Sequence, residues 1–170
     1  THLKGWVLPD SDTADEENFS GKAHCSCGCE ELQFFYPGQT QEYDGQQIPC
    51  TAEINGNYFF LIQAKCSACN NEKTIFDSDF HGWDGYVCHE PEQAELPRPA
   101  LKVWNCLSCG SSIHNAQIKI ETQGKQDFID ETDGEFPEER WIDGFSWIGI
   151  DLKCKKCGKN TNQWISFETM

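Results

Sequence analysis

The chain has 170 residues, 28 acidic and 13 basic side chains, a formal net charge of −15 and 11 cysteines. With 38% hydrophobic and 12% aromatic residues it is too apolar for an acidic disordered chain, and no segment approaches the roughly 18 apolar residues of a membrane span. Because acids outnumber bases two to one, the composition argues against nucleic acid and anionic membranes as partners and favours a basic protein.

Residues 1–20 are predicted to be an acidic lead-in. Asp10–Glu17 holds five acids in eight residues, which predicts a loosely packed stretch. The first residues lack a basic region followed by an apolar one, so they do not resemble a signal peptide. An odd number of cysteines also argues against a disulfide framework. We therefore expect an intracellular, cytoplasmic protein.

The first cysteines lie in the segment His24-Cys-Ser-Cys-Gly-Cys29. A glycine directly after a thiolate suits a metal-binding turn, because that position benefits from a positive φ. Cys27, directly before Gly28, is therefore the best-supported ligand of this turn. Its partner could be Cys25, His24 or Cys29. Thiolate is the commoner ligand in structural sites, which favours Cys25.

Strands and a Cys-x-x-Cys pair follow in the first half of the chain. Alternation and β-branched or aromatic residues predict strands over Leu32–Tyr36, Tyr58–Lys65 and Thr74–Asp77. The pair Cys66-Ser-Ala-Cys69 lies between the last two strands, so the two thiols are placed in a turn of a hairpin. Such a pair can supply two ligands to one metal ion.

One cluster outside these pairs combines three reactive residue types: His81-Gly-Trp-Asp84-Gly-Tyr-Val-Cys88-His89. It could supply a thiol nucleophile with a histidine base, but no third orienting residue and no glycine-framed nucleophile turn accompany it. The preferred interpretation is a glycine-rich turn with an aromatic plug and a buried free cysteine. Cys50 is likewise expected to be a small buried hydrophobe. No catalytic residue is assigned.

The segment 89–100 is predicted to be a linker. It contains three prolines and three glutamates, a composition that disfavours both helix and central strand. It divides the chain into a first repeat over residues 21–88 and a second repeat over residues 101–170.

The second repeat contains two turns of the form Cys-x-x-Cys-Gly, which begin at Cys106 and Cys154. Before the second turn, Ile148, Ile150 and Leu152 alternate as on a half-buried strand. The strands predicted in this repeat are Leu101–Asn105, Ile113–Glu121, Ser146–Lys153 and Gln163–Glu168. Four thiolates from two such turns complete a tetrahedron around one metal ion.

Between these turns, Glu121–Asp143 holds nine acids against two bases. Apolar residues are interleaved with the acids: Phe128, Ile129, Phe136, Trp141 and Ile142. One interpretation is a solvated loop whose apolar side chains tuck onto the sheet. The other is an acidic loop with aromatic anchors, which is typical of a surface for a basic protein.

The two turns of the second repeat resemble those of zinc-ribbon proteins, in which two cysteine knuckles at the ends of β-hairpins hold one structural zinc ion. The first half repeats the arrangement, since Cys66 precedes Cys154 by 88 residues and Gly28 matches Gly110. The resemblance implies a mainly β fold of two tandem zinc-ribbon-like antiparallel units with few or no helices. It implies two structural zinc ions, with the ligands Cys25, Cys27, Cys66, Cys69, Cys106, Cys109, Cys154 and Cys157.

The leading functional hypothesis is a protein-interaction module in which the metal is a scaffold and no enzyme activity is expected. Its concrete version is an acidic inhibitor of a basic partner, such as the immunity protein of a bacterial nuclease toxin. The alternative is a thiolate-metal redox protein. The second-half turns are similar to the rubredoxin ligand set, although the 44 residues between Cys109 and Cys154 fit it poorly. The first-half turns are loosely similar to the zinc centre of redox-regulated chaperones. A second alternative is an enzyme that uses the His81–His89 cluster.

Overall fold

A computed structural model describes residues 2–10, 17–88 and 98–170. In these residues the fold is mainly β, as the sequence predicts, with three short helical segments. The strands are β1 (Val7–Pro9), β2 (Asn18–Ala23), β3 (Leu32–Tyr36), β4 (Thr40–Tyr43), β5 (Gln46–Pro49), β6 (Ala52–Ile54), β7 (Asn57–Phe59), β8 (Leu61–Cys66), β9 (Glu72–Asp77), β10 (Lys102–Val103), β11 (Ile113–Glu121), β12 (Trp147–Cys154) and β13 (Asn160–Glu168). The helical segments are a π-helical turn (Trp83–Val87), the α-helix α1 (Lys125–Glu131) and a 3-10 helix (Glu138–Gly144).

Nine of these strands form one antiparallel sheet with β11 at its centre. One edge of β11 pairs with β12 along almost its whole length, and β12 pairs onward with β13. The other edge pairs with β2 and, at its first two residues, with β3. From there β3 continues to β8 and β9, while β2 pairs with β1. β4–β5 and β6–β7 are separate hairpins.

The two predicted repeats share this sheet. The strands that follow or connect the cysteine turns correspond between the halves, β3 to β11, β8 to β12 and β9 to β13. However, β3 and β11 pair directly, with Leu32 opposite His114. The halves are therefore not separate sheets, and the division of the chain at 89–100 stays a prediction. Residues 89–97 of the predicted linker lie outside the described residues.

Most predicted strands recur with small shifts at their ends. β3 and β11 have the predicted bounds, and β9, β12 and β13 differ from prediction by a few residues. The predicted strand Tyr58–Lys65 is divided at Phe60, because β7 turns back on β6 whereas β8 joins the sheet. Leu101–Asn105 contributes only the two residues of β10, which pair with the end of β3.

The described part of the predicted lead-in is integrated into the fold. Leu3, Trp6 and Val7 are buried and belong to the main hydrophobic core. β1 pairs with β2, and β2 pairs with β11, so the chain before residue 20 extends the sheet. Residues 11–16 of the predicted loose acidic stretch lie outside the described residues.

The core covers one face of the sheet. Ile148, Ile150 and Leu152 are buried, which confirms the alternation predicted for β12. The largest fully buried side chain is Trp164, whose ring packs against the edge of Phe34 with 5.5 Å between centroids. Within the described ranges, no helix has both the length and the apolar character needed to cross a lipid bilayer.

The acidic segment between β11 and β12 contains α1 and the 3-10 helix where a loop was predicted. Phe128 is fully buried and packs edge-on against Trp83, with 6.1 Å between ring centroids. Gly144 lies so close to this ring that a Cβ would be 2.7 Å from it. Phe128 therefore tucks inward and holds the two helices together. It is not available as a surface anchor.

Candidate metal centres

Two groups of four cysteines converge in the structure. In each group the four Sγ atoms lie within 4.8 Å of one another. The first group is Cys25, Cys27, Cys66 and Cys69, and the second is Cys106, Cys109, Cys154 and Cys157. The shortest separations join the two turns of a group: Cys25–Cys69 at 3.4 Å, and Cys27–Cys66, Cys106–Cys157 and Cys109–Cys154 at 3.6 Å each. The groups coincide with the two sets of ligands predicted from the sequence.

Glycine closes both turns of the second group. The Gly110 N–H donates to the Cys106 carbonyl at 2.8 Å, and the Gly158 N–H donates to the Cys154 carbonyl at 2.9 Å. Both glycines have a positive φ, of 71° and 72°. A residue with a Cβ is strained in this region, so the glycine after the second cysteine permits the reversal that turns both thiols to one point.

The first group uses a shorter turn and a turn without glycine. The Cys25 N–H donates to the Cys29 carbonyl and the Gly28 N–H to the Cys25 carbonyl, both at 2.8 Å. In the other turn Asn70, with φ 61°, donates its N–H to the Cys66 carbonyl at 3.0 Å. Asparagine is the residue after glycine that best tolerates this conformation, which explains why this Cys-x-x-Cys pair needs no glycine.

The sequence left three candidates for the fourth ligand of the first group: Cys25, His24 and Cys29. In the structure the fourth member of the group is Cys25. The Nδ1 atom of His24 lies 2.9 Å from the Cys25 carbonyl, and its ring is not part of the group. Cys29 also lies outside: its Sγ is 3.7 Å from the Glu31 carbonyl and 3.7 Å from the Ser67 hydroxyl.

The geometry of both groups fits a tetrahedral metal ion. A zinc ion with Zn–S bonds of about 2.3 Å holds its sulfurs about 3.8 Å apart. The shortest observed separations, 3.4 to 3.6 Å, are near this value and far above the roughly 2.05 Å of a disulfide bond. All these cysteines are free thiols in the structure. Four thiolates are the donor set of structural zinc and of some iron sites.

One thiol in each group is strongly acidified. Burial raises the pKa of the Cys66 thiol, but the backbone N–H groups of Cys69 and Ala68 outweigh burial, so that the pKa falls to about 6. Burial likewise raises the pKa of Cys154, and the N–H groups of its own turn again outweigh it, so that this pKa also falls to about 6. The N–H groups of each turn therefore favour the ionised, metal-binding form of these two thiols.

A second thiol in each group resists ionisation. The Asn71 N–H favours the thiolate of Cys69, but the neighbouring thiol of Cys25 and others outweigh it and raise the pKa to about 12. Cys157 has its pKa raised to about 12 by Cys109 and the other thiols around it, against the Lys159 N–H. Four thiolates can therefore coexist in each group only when a cation compensates their charge.

A row of paired residues connects the two groups across the sheet. Cys66 pairs with Leu32, Leu32 with His114, and His114 with Cys154. Three strand spacings of about 4.8 Å separate the two cysteines, or roughly 15 Å. The sequence pattern does not identify Leu32 and His114 as linking residues. The 82-residue offset between Gly28 and Gly110 marks these two as corresponding positions of the halves, but it does not predict that they pair.

Polar contacts beside this row also join the halves. They are Gln33 Nε2 to Ser112 Oγ at 3.0 Å, Asn115 Nδ2 to the Glu30 carbonyl at 3.0 Å, and Lys155 Nζ to Glu31 Oε1 at 3.0 Å. All three lie at or beside the cysteine turns, and the Lys155–Glu31 pair joins the turn of one half to that of the other. The two four-cysteine groups are thus built on one continuous hydrogen-bonded frame.

The described part of the His81–His89 cluster departs from its prediction at the cysteine. Cys88 is exposed, so the prediction of a buried free cysteine is wrong. The residues of this turn that pack against the rest of the protein are Gly82, Gly85 and Trp83, and not Cys88. His81 Nδ1 accepts a hydrogen bond from the Asp77 N–H at 3.0 Å, and its ring stacks on His2 with 3.7 Å between centroids. His89 lies outside the described residues.

Two further side chains are held in their uncharged forms. Burial, with smaller contributions from His2 and Lys73, lowers the pKa of His81 to about 3. Its acceptor nitrogen is already occupied, so it is poorly placed to act as a base. Cys50, predicted to be buried, is half-buried, and burial raises the pKa of its thiol.

Comparison of the chain with protein-family models, with curated proteins and with solved structures yields no match. The assignment of two candidate metal centres therefore rests on the convergence of the eight cysteines alone.

Proposed function

We propose that the chain is a zinc-scaffolded protein-interaction module that binds a basic protein, with inhibition of that protein as the concrete form of its activity. The observation that carries this proposal is the pair of four-cysteine groups, each with all Sγ atoms within 4.8 Å. Four thiolates satisfy a tetrahedral ion and leave no position for a substrate, which is typical of structural zinc and not of catalytic zinc.

Loading with metal would increase the acidity of the protein. If two zinc ions replace the eight thiol protons, each site carries a charge of −2, and the net charge changes from −15 to about −19. A protein with this charge attracts basic surfaces and repels nucleic acid and anionic lipid. Charge therefore supports a basic protein as the partner.

The acidic segment between β11 and β12 supplies a surface for such a partner. Both of its bases are paired internally: Lys125 with Glu138 at 3.1 Å and Arg140 with the buried Asp143 at 2.7 Å. The exposed acids that form no ion pair within the described residues are Asp127, Asp130, Glu131, Asp133, Glu135 and Glu139. The segment therefore presents carboxylates that its own bases do not neutralise.

The test is affinity capture from source lysate with two matched baits. One is the wild-type chain, and the other carries Asp127→Asn, Asp130→Asn, Glu131→Gln and Asp133→Asn. We expect the wild type to retain a basic protein that elutes with salt, and the neutralised bait to retain at least tenfold less. Capture of acidic proteins only, or equal capture by both baits, would contradict the proposal.

A zinc redox switch is a second candidate, and the exposure of the first group favours it. Cys27 and Cys69 are both exposed, so an oxidant can reach the sulfurs. One hydrogen peroxide molecule would oxidise two thiolates to one disulfide, take up two protons and leave as two water molecules. Loss of two ligands would release the metal. Unchanged metal content after treatment with a few equivalents of peroxide would exclude this function.

A further inference from the structure

A cleft of about 650 Å³ is formed where the His81–Cys88 motif meets the β6–β7 hairpin and the end of β13. Its lining combines two carboxylates with two aromatic rings. The residues are Thr51, Tyr58, Ser78, Asp79, Asp84, Cys88 and Phe167. The proposed function and the metal centres leave this cleft unexplained.

Two turns of the cleft each carry an acid, Asp79 in one and Asp84 in the other. They pack closely against each other at Gly85. A Cβ on Gly85 would lie 2.6 Å from the Ser78 carbonyl oxygen and 2.7 Å from the Phe80 nitrogen, so only glycine permits this contact. On the other side, the Asp84 N–H donates to the Thr169 carbonyl at 2.7 Å. The backbone that carries Asp84 is therefore fixed relative to the turn that carries the other acid. A preorganised site loses little conformational entropy on binding.

The chain already binds one guanidinium group at this place. Arg98 Nη1 lies 3.0 Å from Asp77 Oδ1 and 2.7 Å from Asp79 Oδ2. Its Cζ atom lies 5.4 Å from the centroid of the Phe59 ring and 5.0 Å from that of Phe80. Carboxylates and aromatic faces thus combine around an arginine directly beside the cleft, which is the arrangement that suits a planar, delocalised cation.

The same two kinds of group are uncommitted inside the cleft. Asp84 is exposed and forms no ion pair with any described residue, and Tyr58 is 66% exposed. Both arginines of the chain are already paired, Arg98 with Asp77 and Asp79 and Arg140 with Asp143. A guanidinium that fills the cleft must therefore come from another molecule.

We propose that this cleft binds an arginine side chain of the basic partner, with the guanidinium held by the Asp84 carboxylate and stacked on the Tyr58 ring. The inference rests on the proposed function only for the source of the arginine. It gives the His81–Cys88 motif a role as a rigid frame for a cation site. Arginine is favoured over lysine because a planar fork can bond a carboxylate and cover an aromatic ring at once.

The test is a titration of the full chain, purified with its metal, with N-acetyl-arginine amide, followed by amide chemical shifts. We expect saturable shifts at Asp84, Gly85 and Cys88. We expect Asp84→Asn to weaken binding at least about tenfold, since a charge-assisted pair is lost. Tyr58→Ala should weaken it a few fold, as expected for an exposed cation–π contact. N-acetyl-lysine amide should bind more weakly than the arginine probe.

The matched control is Glu42→Gln, which removes the same charge from exposed β4 outside the cleft and should leave the titration unchanged. Shifts absent from the three cleft amides, or equal affinity in wild type and Asp84→Asn, would overturn the proposal. This outcome is distinguishable from failure of the proposed function, because the probe needs no partner. Conversely, a partner that is captured equally by wild type and Asp84→Asn would show that it binds elsewhere.

Discussion

The two candidate metal centres, called the first and second centre below, reach the same arrangement of four sulfurs through turns of different length. In the second centre the N–H of Cys106 bonds the carbonyl of Ser111, whereas in the first the N–H of Cys25 bonds that of Cys29, both at 2.8 Å. The first turn is therefore one residue shorter, yet the residues that follow both turns keep the 82-residue offset. The backbone register after the turn, and not the spacing of the cysteines within it, determines where the thiols meet.

The comparison also shows where the centres differ. In the first centre Cys27 and Cys69 are both exposed, whereas in the second Cys109 is half-buried and only Cys157 is exposed. Cys25, Cys66, Cys106 and Cys154 are buried. Each centre thus has one protected pair of sulfurs, and the first has the more accessible outer pair. We expect the difference in exposure to change the rate at which each centre loses its metal. We expect the shared sheet to make the stability of the protein depend on both centres.

The largest expected effect comes from removing one buried ligand in either centre. We expect Cys66→Ser and Cys154→Ser each to lower the metal content to one ion or fewer per chain. A structural zinc site supplies on the order of 10 kcal/mol, comparable to the net stability of a domain, so both variants should lose the cooperative thermal transition. Metal analysis and calorimetry measure this, with Cys50→Ser as the control. A variant that keeps two ions would contradict the assigned ligands.

The next effect concerns the rate of metal loss. Because its outer sulfurs are more exposed, the first centre should release its ion to a chelator before the second centre does. Amide signals of Gly28 and Gly110 report the two centres separately in one NMR time course with EDTA. Simultaneous loss would indicate that the shared row of strands makes release cooperative.

Acid should affect the two centres alike. The pKa values of Cys66 and Cys154 are both lowered to about 6, so these thiols stay ionised as the pH falls until about 6 and take up protons below it. Metal affinity must fall as the pH falls, because protons compete with the metal for the thiolates. Below pH 6 the metal must displace about one further proton per site, so we expect the affinity to fall more steeply there. Competition with a chromogenic chelator from pH 5 to 8 measures this. Different breakpoints for the two centres would contradict a common electrostatic design.

The smallest effects should come from residues beside the centres. Cys29→Ser replaces the first centre's extra thiol with the serine found at the corresponding Ser111, and should leave two ions bound. Gln33→Ala removes the side-chain hydrogen bond to Ser112 that joins the halves, and should lower the free energy of unfolding by about 1 kcal/mol. Metal analysis and thermal denaturation test these expectations. Loss of an ion from Cys29→Ser would place that thiol among the ligands.

The sequence predicted the elements whose signals are local. Alternating apolar residues located β11 and β12, and glycines after cysteines identified the turns of the second centre. It could not predict the pairing of Leu32 with His114, because sheet neighbours from distant segments leave no periodic signal. It also missed α1, since so short a helix depends on tertiary packing such as that of Phe128 against Trp83.

The most direct test of the central claim is native mass spectrometry of the purified full chain, with elemental analysis of the same sample. Two zinc ions per chain, in a colourless protein that loses both with its folded structure on chelation, is the predicted result. One ion or none per chain, or a red protein that contains iron, would contradict the assignment of two structural zinc centres on one sheet.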